Sequence, residues 1–400
     1  MVIDNLEPKE IFKPNSIEEL ISIVKGAYEE DKALSPICYC TKLKLGNPLK
    51  RLDYVISMEK IKDLVEYGSS DLYITAKAGM KLKDLQNILK SKNQYLPLDP
   101  PYYDEASLGG LVSTNSFGPK RLKYGSLRDL VLGLKIVTAD GKLIRAGGKV
   151  VKNVAGYDLV KLYIGSLGTL GIIAEVTFRV YPLPEKEATV KVKVKDYRDA
   201  LKLKEKLQDS YLLPSSLDLI NPYLSSSINL TQDYYILVRF DGLKVDVDRE
   251  IKEAVNLFRR EGLNEVEILE KDEDLWKSII NYSKEVILKL GILPTDLPLL
   301  MRLIEEYNLK PSLHYHLALG LGRIFLDYKE YSLLGKIIDA IREEIYPRKG
   351  YLVIESSPLE LKRYTDAWGK VRKDFPLMKK IKEALDPKGI LNPGKFVGGI

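Results

Sequence analysis

Cysteine and histidine are nearly missing from this sequence of 400 residues, which contains two of each. The cysteines, Cys38 and Cys40, are separated by one residue, which is too tight a spacing for an ordinary disulfide. Two thiols alone also cannot complete a tetrahedral zinc site or an iron–sulfur site. The chain therefore carries no metal cluster of its own, and buried structural thiols are the favoured interpretation of this pair.

Long apolar runs are also missing, since no stretch reaches the length of about 20 residues that a bilayer-spanning helix needs. Residues 1–10 lack the apolar core of a signal peptide, so we expect a cytoplasmic protein. Blocks of like charge are lacking as well, although 62 basic and 56 acidic residues leave a net charge of +6. This charge pattern argues against a nucleic-acid-binding arm.

Glycine and small polar residues are plentiful between residues 100 and 180. Glycine allows backbone N–H groups to approach a phosphate or a ring edge that a side chain would block. Such sites recur often enough to suggest a large, extended cofactor. The main motifs are SLGG at residues 107–110, KYGSLRDLVLG at 123–133, KNVAGYDL at 152–159 and GTLGI at 168–172.

In this order the motifs resemble the FAD-binding domain of the vanillyl-alcohol-oxidase or PCMH-type FAD-linked oxidases, and most closely the FAD-binding subunits of glycolate oxidase complexes. A tail signature, LDPKGILNPGKF at residues 385–396, agrees with them. The resemblance covers nearly the whole chain and implies an α+β protein. It has a two-lobed PCMH-type FAD-binding domain at residues 1–185, a duplicated ferredoxin-like cap at 186–356, and a C-terminal segment, 357–400, that returns to the FAD domain.

The hydrophobic patterns between residues 188 and 355 favour the same cap. They predict the order β-α-β-β-α-β twice, first over residues 188–269 and again over 285–354, with a helix-like segment at 272–282 between them. In the family, such caps lie over the flavin ring and supply substrate contacts. Within the first domain the pattern predicts a hairpin at 130–146 and a half-buried strand at 172–180.

The resemblance also implies which residues contact the cofactor. The FAD is expected to be noncovalent, because no N-terminal histidine is present for the covalent bond that some relatives use. Asp129 is expected to fix its loop through backbone hydrogen bonds rather than to act as an acid. The expected FAD contacts are Pro101, Ser107, Leu108, Gly109, Gly110, Ser113, Asn115, Gly118, Tyr124, Gly125, Asp129, Gly156, Tyr157, Gly168, Gly171 and Ile172.

One loop departs from the family pattern. Relatives have a glycine-rich loop after the first core strand, and its backbone amides hold the FAD pyrophosphate. Here Cys38, Tyr39 and Cys40 replace the expected glycines. Three outcomes stay open: a reshaped loop holds FAD, FAD binds weakly, or the chain has lost the flavin and serves as a scaffold.

The two histidines, His314 and His316, are two residues apart on a predicted strand and therefore point to the same face. His316 is a candidate base for the substrate hydroxyl while hydride passes to the flavin, and a packed or surface histidine is the alternative. Glu355 is similarly a candidate ligand or base, or a salt-bridge partner. In related D-lactate dehydrogenases a His/Asp-rich cap motif holds a metal, but residues 313–320 here contain no aspartate, so we expect no metal site.

The sequence thus predicts an FAD-dependent oxidoreductase subunit of a glycolate or D-lactate (2-hydroxy acid) oxidase or dehydrogenase complex. Its expected partners are a second FAD-linked oxidase subunit, an iron–sulfur subunit and a small 2-hydroxy acid, with no nucleic acid and with membrane association only through the partners. It is expected in the cytoplasm or peripherally at the inner face of the cell membrane. Two alternatives remain: a non-catalytic assembly subunit that has lost tight FAD binding, and a stand-alone FAD-dependent dehydrogenase.

Overall fold

The computed structural model describes residues 1–149 and 158–400, and the chain divides into two compact units. The first unit contains Met1–Phe117, Gly125–Pro182 and Lys370–Ile400, and the second contains Gly118–Tyr124 and Leu183–Gly369. The sequence-based boundaries, 1–185, 186–356 and 357–400, differ from this division mainly at residues 118–124 and 357–369. Both of those segments belong to the second unit.

The first helix illustrates how local chemistry sets the element boundaries. Ser16 precedes it, and its hydroxyl accepts a hydrogen bond from the backbone N–H of Glu19 at 3.1 Å, as expected for an N-cap. The elements up to residue 182 are β1 (Glu10–Phe12), α1 (Ile17–Glu29), β2 (Leu34–Ile37), β3 (Tyr54–Ser57), β4 (Leu64–Gly68), β5 (Tyr73–Lys77), α2 (Leu82–Lys90), β6 (Gln94–Tyr95), α3 (Leu108–Thr114), α4 (Arg121–Tyr124), α5 (Leu127–Leu130), β7 (Val131–Val137), β8 (Leu143–Gly147), α6 (Val160–Tyr163), β9 (Ile172–Arg179) and β10 (Tyr181–Pro182).

Two sheets form the framework of the first unit: a parallel one in the order β1-β3-β2 and an antiparallel one in the order β4-β5-β9-β7-β8. The predicted hairpin of β7 and β8 is confirmed. The prediction that the strand at 172–180 is half-buried is wrong, because all residues of β9 except Arg179 are buried. Its polar side chains are paired across the sheet, Glu175 with Lys135 at 2.8 Å and Thr177 with Thr75 at 2.8 Å.

The C-terminal residues complete the first unit. After α13 (Phe375–Leu385), the chain runs beside β2 in the parallel direction. The N–H of Leu34 donates to the carbonyl of Ile390 at 2.7 Å, and the N–H of Asn392 donates to the carbonyl of Leu34 at 2.9 Å. The tail therefore adds to the sheet edge from which the loop at residues 38–45 emerges.

The second unit confirms the predicted duplicated β-α-β-β-α-β order in a single antiparallel sheet, with the strands in the order β14-β11-β13-β12-β16-β17-β15-β18. Strands β12 and β16 join the two halves. The elements are β11 (Lys186–Val194), α7 (Tyr197–Gln208), β12 (Ser216–Ile220), α8 (Pro222–Ser227), β13 (Tyr234–Gly242), α9 (Lys244–Arg260), β14 (Val266–Leu269), α10 (Glu273–Ile280), β15 (Val286–Gly291), α11 (Leu297–Glu306), β16 (Ser312–His316), β17 (Leu321–Leu326), α12 (Tyr331–Ile345) and β18 (Tyr351–Ser356).

The main core of the second unit lies between one sheet face and helices α7, α9, α11 and α12. A smaller apolar cluster joins Ile220, Tyr235 and Leu237 of the sheet to α8 and α10. Alternate residues of β12, β13 and β16 point away from the main core, as strand geometry requires. Across the described residues, no helix combines the length and apolar character that crossing a bilayer demands.

Candidate cofactor pocket

A pocket in the first unit has an empty volume of about 940 Å³, part of which is open to solvent. Its walls come from the loop after β2, from α3, from the loop before β9, and from the tail residues Asn392 and Lys395. The fold thus brings together segments that are far apart in the sequence.

Many of the predicted FAD contacts line this pocket, and others do not. Leu108 is fully buried in the core, and Pro101, Asn115, Gly118, Tyr124, Gly125 and Asp129 lie outside the pocket lining. Gly156 and Tyr157 fall outside the described residues. The predicted residues that do line it are Ser107, Gly109, Gly110, Ser113, Gly168, Gly171 and Ile172.

Asp129 has a local structural task. Its carboxylate accepts hydrogen bonds from the backbone N–H of Ser126 at 2.7 Å and from the Ser126 hydroxyl at 2.8 Å. The Ser126 hydroxyl in turn accepts from the N–H of Arg128, which completes a capping box at the start of α5. Asp129 therefore fixes its loop, as expected.

Tyr124 belongs to the second unit, where its hydroxyl donates to Asp241 Oδ1 at 2.9 Å. Lys123 Nζ donates to the same oxygen at 2.8 Å, and the Asp241 side chain is fully buried. The KYG motif at residues 123–125, which the resemblance assigns to the cofactor, is thus split between the two units. Lys123 and Tyr124 hold a buried carboxylate, whereas Gly125 begins the next stretch of the first unit.

We therefore expect Tyr124→Phe to leave FAD affinity within about twofold of wild type, because its hydroxyl contacts Asp241 rather than the pocket. Loss of that hydrogen bond to a charged acceptor should lower the free energy of unfolding by about 1.5–3 kcal/mol. FAD titration and urea denaturation measure the two effects. A marked loss of FAD affinity in a stably folded variant would contradict this assignment.

The loop that contains Cys38, Tyr39 and Cys40 in place of the family's glycines has side chains with partners elsewhere and, within the part of the chain that the structure describes, two backbone N–H groups without an acceptor. The Tyr39 hydroxyl donates to the carbonyl of Gly79 at 3.2 Å, and Cys38 Sγ lies 3.9 Å from the same oxygen. Cys40 adopts a left-handed conformation with φ of +60°. Among the described residues, the backbone N–H groups of Cys40 and Thr41 have no hydrogen-bond acceptor. Both residues line the pocket, and backbone amides without an acceptor are groups that can bind an anion such as a pyrophosphate.

Two glycines of the pocket are required by the protein's own packing. A Cβ atom on Gly109 would lie 2.8 Å from the Cβ of Ala78, so α3 could not approach the residue that follows β5 as closely. Gly168 has φ of +69°, and a Cβ there would lie 3.0 Å from Pro36 Cγ. The glycines therefore let the walls of the pocket meet, which is a different task from the ligand approach that the motifs suggest.

Two buried polar atoms belong to residues that adjoin the pocket lining in the sequence. Asn115 Oδ1, next to Thr114, and Ser166 Oγ, next to Leu167, have no hydrogen-bond partner among the described residues. Buried polar atoms are nearly always paired, so each of these two atoms calls for a partner such as a water molecule. Within the lining itself, Cys40 and Thr41 have backbone N–H groups that suit the anionic part of FAD.

The tail holds the pocket walls through a buried lysine that sequence reasoning missed. Lys382 Nζ donates to the carbonyls of Thr169 at 2.8 Å and Leu391 at 3.0 Å, and to Asp386 Oδ2 at 2.6 Å. Asp386 also accepts from the N–H of Leu391 at 2.8 Å. Burial lowers the pKa of the Lys382 ammonium, while Asp386 opposes the shift.

Two further tail residues contact the walls directly. Asn392 Nδ2 donates to the carbonyl of Leu167 at 2.7 Å, and Lys395 Nζ donates to that of Leu43 at 2.8 Å. The loop before β9 and the loop after β2 are thus both anchored by the C-terminal segment. In the sequence these contacts are signalled only by the tail signature at residues 385–396, which does not reveal the residues that Asn392 and Lys395 contact.

The two cysteines give a chemical test of the pocket. Burial raises the pKa of the Cys38 thiol to about 11 and also raises that of Cys40. Because the thiolate is the reactive form, alkylation of Cys38 by iodoacetamide should be slow at pH 8 and accelerate about tenfold per pH unit until about pH 11. We expect added FAD to slow the labelling of both cysteines, as followed by mass spectrometry. Equal rates with and without FAD, in protein that binds FAD, would place the cofactor elsewhere.

A second polar cluster lies in the second unit, where Asp218 of β12 contacts both histidines of β16. His314 Nε2 lies 3.2 Å from Asp218 Oδ1, and His316 Nδ1 contacts the same oxygen. Burial opposes the ionisation of Asp218, but the two histidines outweigh it and hold the pKa of this carboxyl well below its usual value. Burial lowers the pKa of His314, so its imidazole is neutral.

Glu355 is a salt-bridge partner. Its carboxylate receives Arg323 Nε at 2.7 Å and Arg323 Nη2 at 3.3 Å. Asp218, in contrast, was not anticipated, because it is 96 residues from His314 and only the strand pairing brings them together. The sequence motif at residues 313–320 lacks an aspartate, and the fold supplies one from the neighbouring strand.

Comparisons with known proteins agree with this description. Residues 8–147 match the family model described as "FAD binding domain", and residues 366–396 match that of "FAD linked oxidases, C-terminal domain". The chain is 25% identical to glycolate oxidase subunit GlcD of Bacillus subtilis over 97% of this chain and 89% of that protein. It is 27% identical to D-lactate dehydrogenase of Archaeoglobus fulgidus over 97% of this chain and 91% of that protein.

Two more similarities support less, one because it covers a minority of this chain and the other because the sequence identity is low. Glycolate oxidase subunit GlcE of Escherichia coli is 42% identical over 36% of this chain and 41% of that protein. Alkyldihydroxyacetonephosphate synthase has a similar solved structure, with a TM-score of 0.73 at 17% identity, covering 96% of this chain and 76% of that chain. At such low identity the structural similarity shows the fold alone.

Proposed function

Because this chain belongs to the PCMH-type family of FAD-linked oxidases, we propose that it is the FAD-binding subunit of an oxidase or dehydrogenase for small 2-hydroxy acids. The observation that carries the proposal is the pocket of the first unit, with an empty volume of about 940 Å³. Segments of the two matched regions meet there, and residues that offer backbone amides, hydroxyls and two lysine side chains line its walls.

In this proposal the chain's own residues would hold the cofactor noncovalently. The Cys40 and Thr41 amides would receive the pyrophosphate, and Ser107 and Ser113 would offer hydroxyls in the same pocket. Lys395 anchors the loop after β2, which contains Cys40 and Thr41, by donating a hydrogen bond to the carbonyl of Leu43. When bound, FAD supplies the acceptor for the hydride that leaves the hydroxyl-bearing carbon of the substrate.

The substrate class rests on the relatives. They are named for glycolate oxidase, D-lactate dehydrogenase and D-2-hydroxyglutarate dehydrogenase, and all three names refer to 2-hydroxy acids. We therefore propose that this chain acts on the CH–OH group of such an acid. Comparing the oxidation rates of glycolate, D-lactate and D-2-hydroxyglutarate identifies which acid it uses.

The proposed assembly includes a second FAD-linked oxidase chain and an iron–sulfur chain. Two relatives are named as subunits, which supports a complex. With two cysteines in the whole sequence, this chain cannot supply the four thiolates of a cluster, so electrons leave through a partner. In this proposal the protein reaches the membrane surface only through these partners.

Two alternatives are favoured by specific observations. The side chains of Cys38, Tyr39 and Cys40, which stand where relatives have the glycines of the pyrophosphate-binding loop, favour an assembly subunit that has lost tight FAD binding. A stand-alone dehydrogenase is favoured by the similarity to the D-lactate dehydrogenase of Archaeoglobus fulgidus along 91% of that protein. The unpartnered Cys40 and Thr41 amides weigh against the first alternative.

The decisive experiment is a visible spectrum of the purified full-length chain, before and after incubation with FAD. We expect flavin absorbance at close to one FAD per chain, and dye-coupled oxidation of glycolate, D-lactate or D-2-hydroxyglutarate once the co-purified partners are present. Failure to bind FAD after reconstitution would favour the assembly subunit. Full activity of the isolated chain would favour the stand-alone dehydrogenase.

A further inference from the structure

We propose that Asp4 is a positioning residue for the FAD pocket, because its carboxylate holds the loop after β2, residues 38–50, in the shape that receives the pyrophosphate. This role rests on the proposed function and adds to it a residue that no sequence motif assigns to the cofactor. Asp4 is not among the described residues that line the pocket. Its effect on FAD therefore passes through the residues that its carboxylate contacts.

The loop after β2 is held by segments that are distant in the sequence. No helix or strand lies between β2 and β3, and an ordered loop of more than about 12–15 residues without regular structure is uncommon and usually functional. The N–H of Asn47 donates to the carbonyl of Lys395 at 2.9 Å, and the N–H of Lys50 donates to that of Pro393 at 2.8 Å. The shape of the loop thus depends on contacts with residues outside it.

Asp4 adds two contacts to this loop from a single carboxylate oxygen. Its Oδ2 atom accepts hydrogen bonds from the N–H of Leu49 at 3.0 Å and from Lys395 Nζ at 3.0 Å. Lys395 Nζ in turn donates to the carbonyl of Leu43 at 2.8 Å. The Asp4 and Lys395 side chains are only 7% and 9% exposed, and removing one partner of a buried ion pair is strongly destabilising. Asp4 therefore fixes the loop directly at Leu49 and through Lys395 at Leu43.

The turn that carries Asp4 gives its carboxylate a fixed support. The N–H of Ile3 donates to the carbonyl of Leu6 at 2.9 Å, and the N–H of Leu6 donates to that of Ile3 at 2.8 Å. Between them Asp4 and Asn5 have φ of +52° and +65°, a left-handed conformation that aspartate and asparagine adopt more readily than most residues. Ile3 is buried in an apolar cluster with Ile37 of β2 and lines the pocket. The turn is therefore packed against the strand from which the loop emerges.

Holding the loop matters for FAD because the Cys40 and Thr41 amides belong to it. A site that is correctly shaped for only part of the time binds its ligand with an apparent affinity reduced by that fraction. A loop that is fixed before the ligand arrives also loses less conformational freedom on binding. Without the Asp4 carboxylate, we expect the loop to open more often and FAD to leave more quickly.

The test uses the full-length chain with two variants of Asp4. Asp4→Gly removes the carboxylate and suits a φ of +52°, whereas Asp4→Asn keeps an oxygen that can accept the N–H of Leu49. We expect Asp4→Gly to raise the Kd for FAD about tenfold, mainly through faster release, and Asp4→Asn to have a smaller effect. Fluorescence titration and stopped-flow release of flavin measure both constants. In FAD-free protein, hydrogen–deuterium exchange of residues 38–50 should be faster in both variants, while exchange in β9 stays as in wild type.

Asp53→Asn is the matched control. Asp53 also accepts a backbone N–H, that of Ala33 at 2.9 Å, and pairs with a lysine, Lys9 at 3.3 Å, with its own side chain 13% exposed. Neither of those partners is among the described residues of the pocket lining, so FAD release and loop exchange should stay as in wild type. Thermal unfolding verifies that each variant is folded, and Asp4→Asn keeps the comparison decisive if Asp4→Gly does not fold.

The outcomes separate this role from the proposed function. FAD binding by wild type, with unchanged FAD release and loop exchange in the folded Asp4 variants, would overturn the role of Asp4 alone. Equal changes in the Asp4 and Asp53 variants would also overturn it, because they would show a general loss of stability. A wild-type chain that binds no FAD would overturn both the proposed function and the role of Asp4.

Discussion

Replacing Lys382 with methionine should lower the free energy of unfolding of the first unit by about 3–5 kcal/mol, because a buried carboxylate loses its partner. The Lys382 and Asp386 side chains are 8% and 0% exposed, and the ammonium also bonds the carbonyls of Thr169 and Leu391. Methionine has a similar length but no donors. The loop before β9, which lines the FAD pocket, would lose its anchor, so FAD affinity should fall by at least tenfold.

Lys379→Met is the matched control. Lys379 lies on the same helix and also pairs with an acidic residue four positions on, Glu383, but both side chains are about 60% exposed. Exposed pairs of this kind contribute about 0.3–0.5 kcal/mol. Urea denaturation and FAD titration by flavin fluorescence measure both variants. Equal stability and FAD affinity in the two would show that the buried lysine does not organise the pocket.

Replacing Arg239 with methionine should destabilise the second unit by a similar amount, about 3–5 kcal/mol. Its guanidinium lies 2.7 Å from Glu187 and 3.1 Å from Asp272, and the Arg239 and Asp272 side chains are 7% and 3% exposed. Asp272 also accepts from the Thr189 hydroxyl, which in turn accepts from Trp276 Nε1 at 2.9 Å. Without the guanidinium, the carboxylate of Asp272 stays buried without a cation.

The comparison for this variant is Arg249→Met, which removes an arginine of α9 paired with Glu253 where both side chains are nearly half exposed. That change should cost less than about 1 kcal/mol. Denaturation followed by tryptophan fluorescence reports on the site, since Trp276 lies beside Arg239. If the Arg239 and Arg249 variants unfold at the same denaturant concentration, the buried network does not stabilise this unit.

What could be predicted from the sequence is mostly what short-range patterns encode. Alternation and helical spacing were sufficient for the duplicated cap order, and the Ser16 cap was readable because its partner is three residues away. The glycine motifs pointed to the α3 and β9 walls of the pocket. All of these signals depend on neighbours in the chain.

What could not be predicted depends on pairing between distant segments. The burial of β9 follows from strands on both of its sides, and the polar residues that indicated exposure are in fact paired across the sheet. Asp218 reaches the histidines only through the β12–β16 register. Lys382 looks like an ordinary helix lysine until its contacts with Thr169 and Leu391 are known.

The discontinuous make-up of the first unit affects when it can mature during synthesis. Residues 1–117 and 125–182 leave the ribosome long before Lys370–Ile400, yet the last stretch anchors both loops of the pocket. Between these events the whole of Leu183–Gly369 must be translated. Nascent chains interrupted within that interval would hold an open, unanchored nucleotide cleft, so flavin loading has to follow translation of the tail.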